Sequence, residues 1–225
     1  MHVTPDARLA RWLGAAFVAQ FTTSLAAEAL SSPILTGNIS AAMVRITHNV
    51  VQIRVAIVLY LATCVGIIVM TSLLYMVLRG RSRTVALVAL VLWLAEVMMI
   101  AVGAIALYAL LPLSADFVNA GAPSTSYYET LGALFRGLTG DLSMLFFSLG
   151  AFLWYGLFFT SRLVPRALSV WGLLAMLLVL AGTLPLVWDS SLNVPFALDI
   201  PYLPFELVIG LWLLVRGISP AFSTP

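Results

Sequence analysis

Apolar residues gather along this chain into six tracts, at about 13–30, 55–78, 85–111, 142–160, 167–188 and 203–218. Each is at or near the roughly 20 residues that a helix needs to cross about 30 Å of hydrocarbon. Runs this long and continuous do not suit the alternating strands of a membrane barrel, so the predicted elements are helices. The second, third and fifth tracts are the clearest. The first is diluted by Gln20 and Glu28, and is read as a retained helix rather than a cleaved signal. The sixth is short and follows Pro195, Pro201 and Pro204, which predicts a kinked or partly unwound start.

Two connections carry patterns of their own. Arg45, His48, Asn49 and Gln52 recur at i, i+3, i+4 and i+7, one helical face, while Ile46, Val50 and Ile53 occupy another. This predicts an amphipathic helix over 39–53 on the outer surface, leading directly into the second span. A second short helix is predicted over 127–138. The expected fold is all-α: a polytopic integral membrane protein, one six-helix bundle over 1–225.

Charge then orients the bundle. Arg8, Arg11, Arg79, Arg81, Arg83, Arg162, Arg166 and Arg216 fall on one side of the alternating spans, and Arg45, Arg54 and Arg136 on the other. The positive-inside rule places the first set in the cytoplasm, with both chain ends, and Asp116, Glu129, Asp189 and Asp199 then lie outside. A bacterial cytoplasmic membrane is the expected location. Trp12, Trp171, Trp188 and Trp212 fall near span ends, where indole rings anchor in the interface.

Composition agrees. A chain that is 62% hydrophobic and 9% charged lacks the charge to cover a water-exposed surface. No basic cluster interleaved with aromatics and no nucleic-acid motif occurs, so the expected partner is the bilayer rather than nucleic acid. The single Cys64 sits in an apolar run and is read as a small hydrophobe.

The candidate chemistry lies in charges that are costly where they fall, about 2.5–3.5 kcal/mol each at mid-bilayer. Each needs a partner, a cavity or a bound proton. At about 1.5 Å per residue, Glu96 lies roughly 20 Å from the inner edge, counted from Arg83, and Glu206 roughly 15 Å, counted from Arg216. The two share a depth near the midplane. Glu28, roughly 25 Å past Arg11, closes a polar stripe with Gln20 and Ser24. Arg54 and Asp141 sit at the outer boundary. Arg54 is half a turn away from Arg45 and is expected to point inward, towards Glu28 or Asp141. The candidate ligand-binding set is therefore Glu28, Arg54, Glu96, Asp141 and Glu206, with Glu96 and Glu206 as candidate catalytic acids. The alternative is that these groups only fasten helices together.

Several classes are excluded by what is missing. The only histidines are His2 and His48, so intramembrane haem ligation has no axial pair and a serine nucleophile has no base. No spacing of His, Cys and acids suggests a zinc site, and no phosphate-cradling glycine loop precedes a helix. Neither metal nor cofactor is expected.

The stretch Trp154-Tyr155-Gly156, followed by Ser161-Arg162-Leu163-Val164-Pro165-Arg166-Ala167-Leu168-Ser169-Val170-Trp171-Gly172, resembles the fourth-to-fifth span loop of a bacterial membrane family. That family is catalogued as domain of unknown function 4386. Glu206-Leu207 with Leu211-Trp212-Leu213-Leu214-Val215-Arg216-Gly217 resembles its last helix, and Arg54 and Glu96 fit its pattern loosely. The resemblance implies a multi-helix membrane protein and carries no activity. Family members often show His before the acid that opens span four, where this chain has Gly140 before Asp141. Three functions remain open: a polar, acid-lined pocket for a small lipophilic ligand, an intramembrane acid–base enzyme acting on a lipid or isoprenoid, and a non-catalytic scaffold.

Overall fold

A computed structural model describes residues 5–122, 126–138, 142–189, 192 and 194–217. The secondary structure among them is helical throughout: α1 Pro5–Leu35, α2 Ile39–His48, α3 Val50–Leu78, α4 Arg83–Asn119, α5 Ser126–Leu138, α6 Leu142–Ser161, α7 Arg166–Trp188, a 3-10 turn Phe196–Leu198 and α8 Tyr202–Arg216. Helices α1, α3 and α4 run well beyond their apolar tracts, because no breaker stops them at the edge of the apolar run. Pro33 and Pro112 sit inside α1 and α4 without ending them. Asn38 caps α2, its side chain accepting from Ser40 N at 2.8 Å. Where the pattern predicts one helix running straight on, Asn49 (φ −126°, ψ 34°) leaves helical geometry and separates α2 from α3.

Five stretches are long and apolar enough to cross a membrane: Arg8–Leu35, Val50–Leu78, Arg83–Asn119, Tyr127–Ser161, which takes in α6 and runs over residues outside the described ones, and Arg166–Trp188. Their outward faces are apolar too. Val58, Val65, Met98, Ile105 and Leu174 all stand exposed. Helices apolar all round belong in a membrane, since contiguous patches of this kind are not tolerated in water. The chain is a multi-pass membrane protein by architecture. Helix α8, at 15 residues, is shorter than a full crossing.

The chain divides into two compact units. Unit 1 comprises residues 1–21, 65–97 and 141–225, and unit 2 comprises 22–64 and 98–140. Glycine sets the packing of unit 1. A Cβ on Gly14 of α1 would fall 2.4 Å from Leu214 N of α8, and one on Gly150 of α6 would fall 2.5 Å from the Trp93 ring of α4. Backbones approach this closely only where a side chain is absent. The α6–α7 turn is closed by Arg162 in the left-handed region (φ 55°) and by buried Leu163 and Val164. Arg166 then opens α7 with its guanidinium 5.6 Å from the centre of the Phe159 ring.

Unit 2 has its own apolar core of Ile34, Ile46, Ile53, Ile57, Ala104, Leu107, Leu110 and Leu111. The carbonyls at the C-terminal end of α1 and in the two residues after it are taken by two arginines. Arg45 donates to Ile34 O and Thr36 O, and Arg136 to Leu35 O and Gly37 O. Ser40 Oγ donates to Glu129 Oε1 at 2.9 Å, tying α2 to α5.

Candidate functional site

The polar centre of unit 1 is Glu206, buried at 1% exposure in the first half of α8. Both of its oxygens are occupied. Gln20 Nε2 of α1 donates to Oε1 at 2.9 Å, and the Tyr202 hydroxyl, one helical turn earlier, donates to Oε2 at 2.6 Å. Gln20 reaches this place because Gly66 of α3 lets α1 approach: a Cβ there would lie 2.8 Å from Gln20 Cβ. The start of α8 is held by Trp171 of α7, whose Nε1 donates to Pro201 O at 3.0 Å.

Glu96 of α4 belongs to the same unit and is 7% exposed. It lies within electrostatic range of Glu206. Its environment is the opposite of Glu206's, for its Oε2 is buried and has no hydrogen-bond partner among the described residues. The Tyr155 hydroxyl of α6 is buried and also without a partner among the described residues, within electrostatic range of both acids. Ser169 Oγ of α7 and Trp154 Nε1 of α6 are likewise unsatisfied. Buried polar groups are nearly always hydrogen-bonded, so several orphans in one unit call for an explanation.

Aromatic rings surround these groups. Trp93, one turn before Glu96, stacks on Phe147 at 6.1 Å between centroids and donates from Nε1 to Phe147 O at 3.1 Å. Phe147 meets Tyr202 at 5.0 Å, and Phe205 lies between Tyr155 and Trp171 at 4.8 and 5.7 Å. Low-polarity walls strengthen any hydrogen bond made inside them and raise the cost of one left unmade. Chemically, the site offers one carboxyl already solvated by two donors, and a second carboxyl and a phenol with open capacity.

The structure therefore brings two of the sequence-derived candidates, Glu96 and Glu206, into one unit. Glu28 and Arg54 belong to unit 2. The inward orientation expected of Arg54 is corrected: its side chain is exposed. It lies in register with Val51, Val55 and Val58, all exposed. In a bilayer the apolar stripe faces lipid, so sharing that stripe turns Arg54 outward. Glu28 does not pair with it, but accepts from the Tyr60 hydroxyl at 2.8 Å, and Tyr60 also meets Ser31 Oγ at 2.9 Å. Asp141 lies outside the described residues. Among the described residues no group of three or more His, Cys, Asp or Glu could hold a metal ion.

Sequence reasoning missed Gln20 as a ligand of Glu206, and missed Tyr155 and Tyr202 altogether. Tyr202 was legible, standing four residues before Glu206 on one helix face. Tyr155 was not, since nothing local separates a buried phenol from an interfacial one. Trp154, Tyr155, Ser169, Trp171 and Glu206 all come from the two stretches whose pattern resembles the family, and here they are part of one unit.

No curated protein and no solved structure matches the chain. The family model for the domain of unknown function DUF4386 does match, over residues 12–217, nearly the full length. With its apolar helices and its Glu206 cluster, this chain is a member of the DUF4386 family.

Proposed function

We propose that this protein is a six-span membrane protein of the bacterial cytoplasmic membrane, both ends inside, whose unit 1 receives the polar end of a small lipophilic molecule. The six-span reading takes α8 as the last crossing. Its 15 residues give roughly 22 Å at about 1.5 Å per residue, and the 3-10 turn and prolines before it supply the remaining depth. Orientation rests on the arginine asymmetry.

The ligand reading rests on one observation: Glu96 keeps a buried, unpartnered carboxyl oxygen in the unit where Glu206 is fully satisfied. A fastener would use both. An acid left open among apolar walls is costly, and a ligand hydroxyl or carbonyl bonding to Glu96 and Tyr155 removes that cost. Lipophilicity follows from the route, since the outward faces of the helices meet acyl chains. Glu206, held by Gln20 and Tyr202, positions the second polar contact.

Native mass spectrometry of the full chain in mild detergent tests this. A stoichiometric lipophilic adduct that is lost from Glu96→Gln at unchanged melting temperature is the expected result. A clean apo mass for the wild type, with Glu96→Gln only less stable, would overturn it in favour of a scaffold.

A second reading is favoured by the unlike environments of the two acids. One carboxyl that holds donors and one that is free to give or take a proton is the arrangement of an acid–base pair. An isomerase or cyclase of a lipid or isoprenoid would use it. Lipid extracts of wild-type and Glu96→Gln strains that differ by one product support this reading, and identical extracts reject it.

A further inference from the structure

Three arginines fall in unit 2, and two are used by the chain itself: Arg45 and Arg136 hold the carbonyls at the end of α1. Arg54 makes no hydrogen bond or ion pair among the described residues, and neither does His48. Both are exposed. On α3, Val51, Arg54, Val55 and Val58 recur at i, i+3, i+4 and i+7, a single face. The exposed row continues to Leu61. A lone guanidinium thus rises from a stripe that is otherwise apolar.

Beside it, the break between α2 and α3 opens a groove of about 570 Å³. Thr47, His48, Asn49 and Gln52 give it a polar wall at the elbow, and Leu30 and Val55 an apolar one. Val51 and Val55 belong both to this groove and to the face of Arg54, so the cation flanks the opening. Gln52 is fixed there, its Nε2 donating to Leu30 O at 2.9 Å.

We propose that the α2–α3 elbow is a phospholipid site, with Arg54 and His48 on the headgroup phosphate and an acyl chain lying along the Val51–Val55–Val58–Leu61 stripe. A guanidinium on a lipid-facing stripe has to find an anion at the headgroup level, and the long side chain reaches it by snorkelling. Its planar fork matches phosphate oxygens, and the groove has the size of a small-ligand site. Polar wall, cation and apolar stripe follow one another along the chain in the order of a phospholipid's own parts. The site shares no residue with the Glu96–Glu206 cluster, so either proposal can fail without the other.

The test is lipid retention by the full-length protein in dodecyl maltoside, read by native mass spectrometry against phosphatidylglycerol and, separately, diacylglycerol. The wild type is expected to retain one phosphatidylglycerol and to discriminate against diacylglycerol. Arg54→Gln should lower retention about fivefold, the worth of one arginine at an anionic surface, with Arg54→Lys, which keeps the charge but loses the fork, falling between it and the wild type. Arg81→Gln, outside unit 2, should change nothing. Equal retention by Arg54→Gln at unchanged melting temperature would overturn the proposal, as would equal binding of diacylglycerol. If Arg54→Gln does not fold, His48→Gln takes its place, and undiminished retention there overturns the assignment. Complete displacement by glycerol phosphate alone would also overturn it, since the acyl chain would then contribute nothing.

Discussion

Tyr202 and Tyr155 carry the same hydroxyl in the same unit under opposite conditions. Tyr202 donates to Glu206 at 2.6 Å, whereas Tyr155 OH is buried without a partner. Tyr202→Phe should therefore destabilise the protein by about 1–3 kcal/mol, because it strips a donor from a buried carboxyl. Tyr155→Phe removes a group already unsatisfied and should be neutral or slightly stabilising in the ligand-free protein, while weakening any adduct. Thermal unfolding of both variants checks the pair, and equal losses would show that the two hydroxyls are not distinguished as described. Arg54 teaches the complementary lesson. Its half-turn relation to Arg45 assumes one helix through both, which the break at Asn49 removes, and the inference that apolar company means the bundle interior fails in lipid. There the hydrophobic effect does not distinguish the interior from the outside.

Among elements, α8 is the most instructive. The sequence shows its short apolar tract and the prolines before it, and the structure shows why a short helix is firmly seated. Gly14 leaves room for the α8 backbone, with a Cβ there falling within 2.4 Å of Leu214 N and 2.7 Å of Gly210 O. Backbone atoms cannot swing aside as a side-chain tip can. Gly14→Ala should thus cost about 1–3 kcal/mol by overpacking and lower the melting temperature in detergent, with Gly80→Ala, which meets nothing, as the neutral control. The short helix expected over 127–138 is α5, Ser126–Leu138. The continuous 39–53 helix was not obtained, because the periodicity on both sides of Asn49 is helical and only the backbone at that residue breaks it.

At the scale of the whole molecule, the arginine pattern makes the sharpest claim. Unit 1 holds Arg8, Arg11, Arg79, Arg81, Arg83, Arg162, Arg166 and Arg216, and unit 2 holds Arg45, Arg54 and Arg136. In a Cys64→Ala background, Glu129→Cys and Asp199→Cys should react with an impermeant maleimide on intact cells, and Ser82→Cys and Arg216→Cys only after lysis. Labelling of Arg216→Cys from outside would mean that α8 does not cross and that the spans number five. That the chain is helical and made for a membrane is legible in the residues alone, because length and hydropathy of a span are properties of contiguous residues. Glu96 and Glu206 are legible there too, since a charge inside an apolar run is costly wherever the helices go. It took the packing of the helices to show that Glu206 is satisfied by Gln20 and Tyr202, that Glu96 Oε2 has no partner among the described residues, and that Arg54 is exposed. Those outcomes depend on which helices approach one another and at what rotation, and in a chain apolar on every face the periodicity that encodes rotation in a soluble protein is absent.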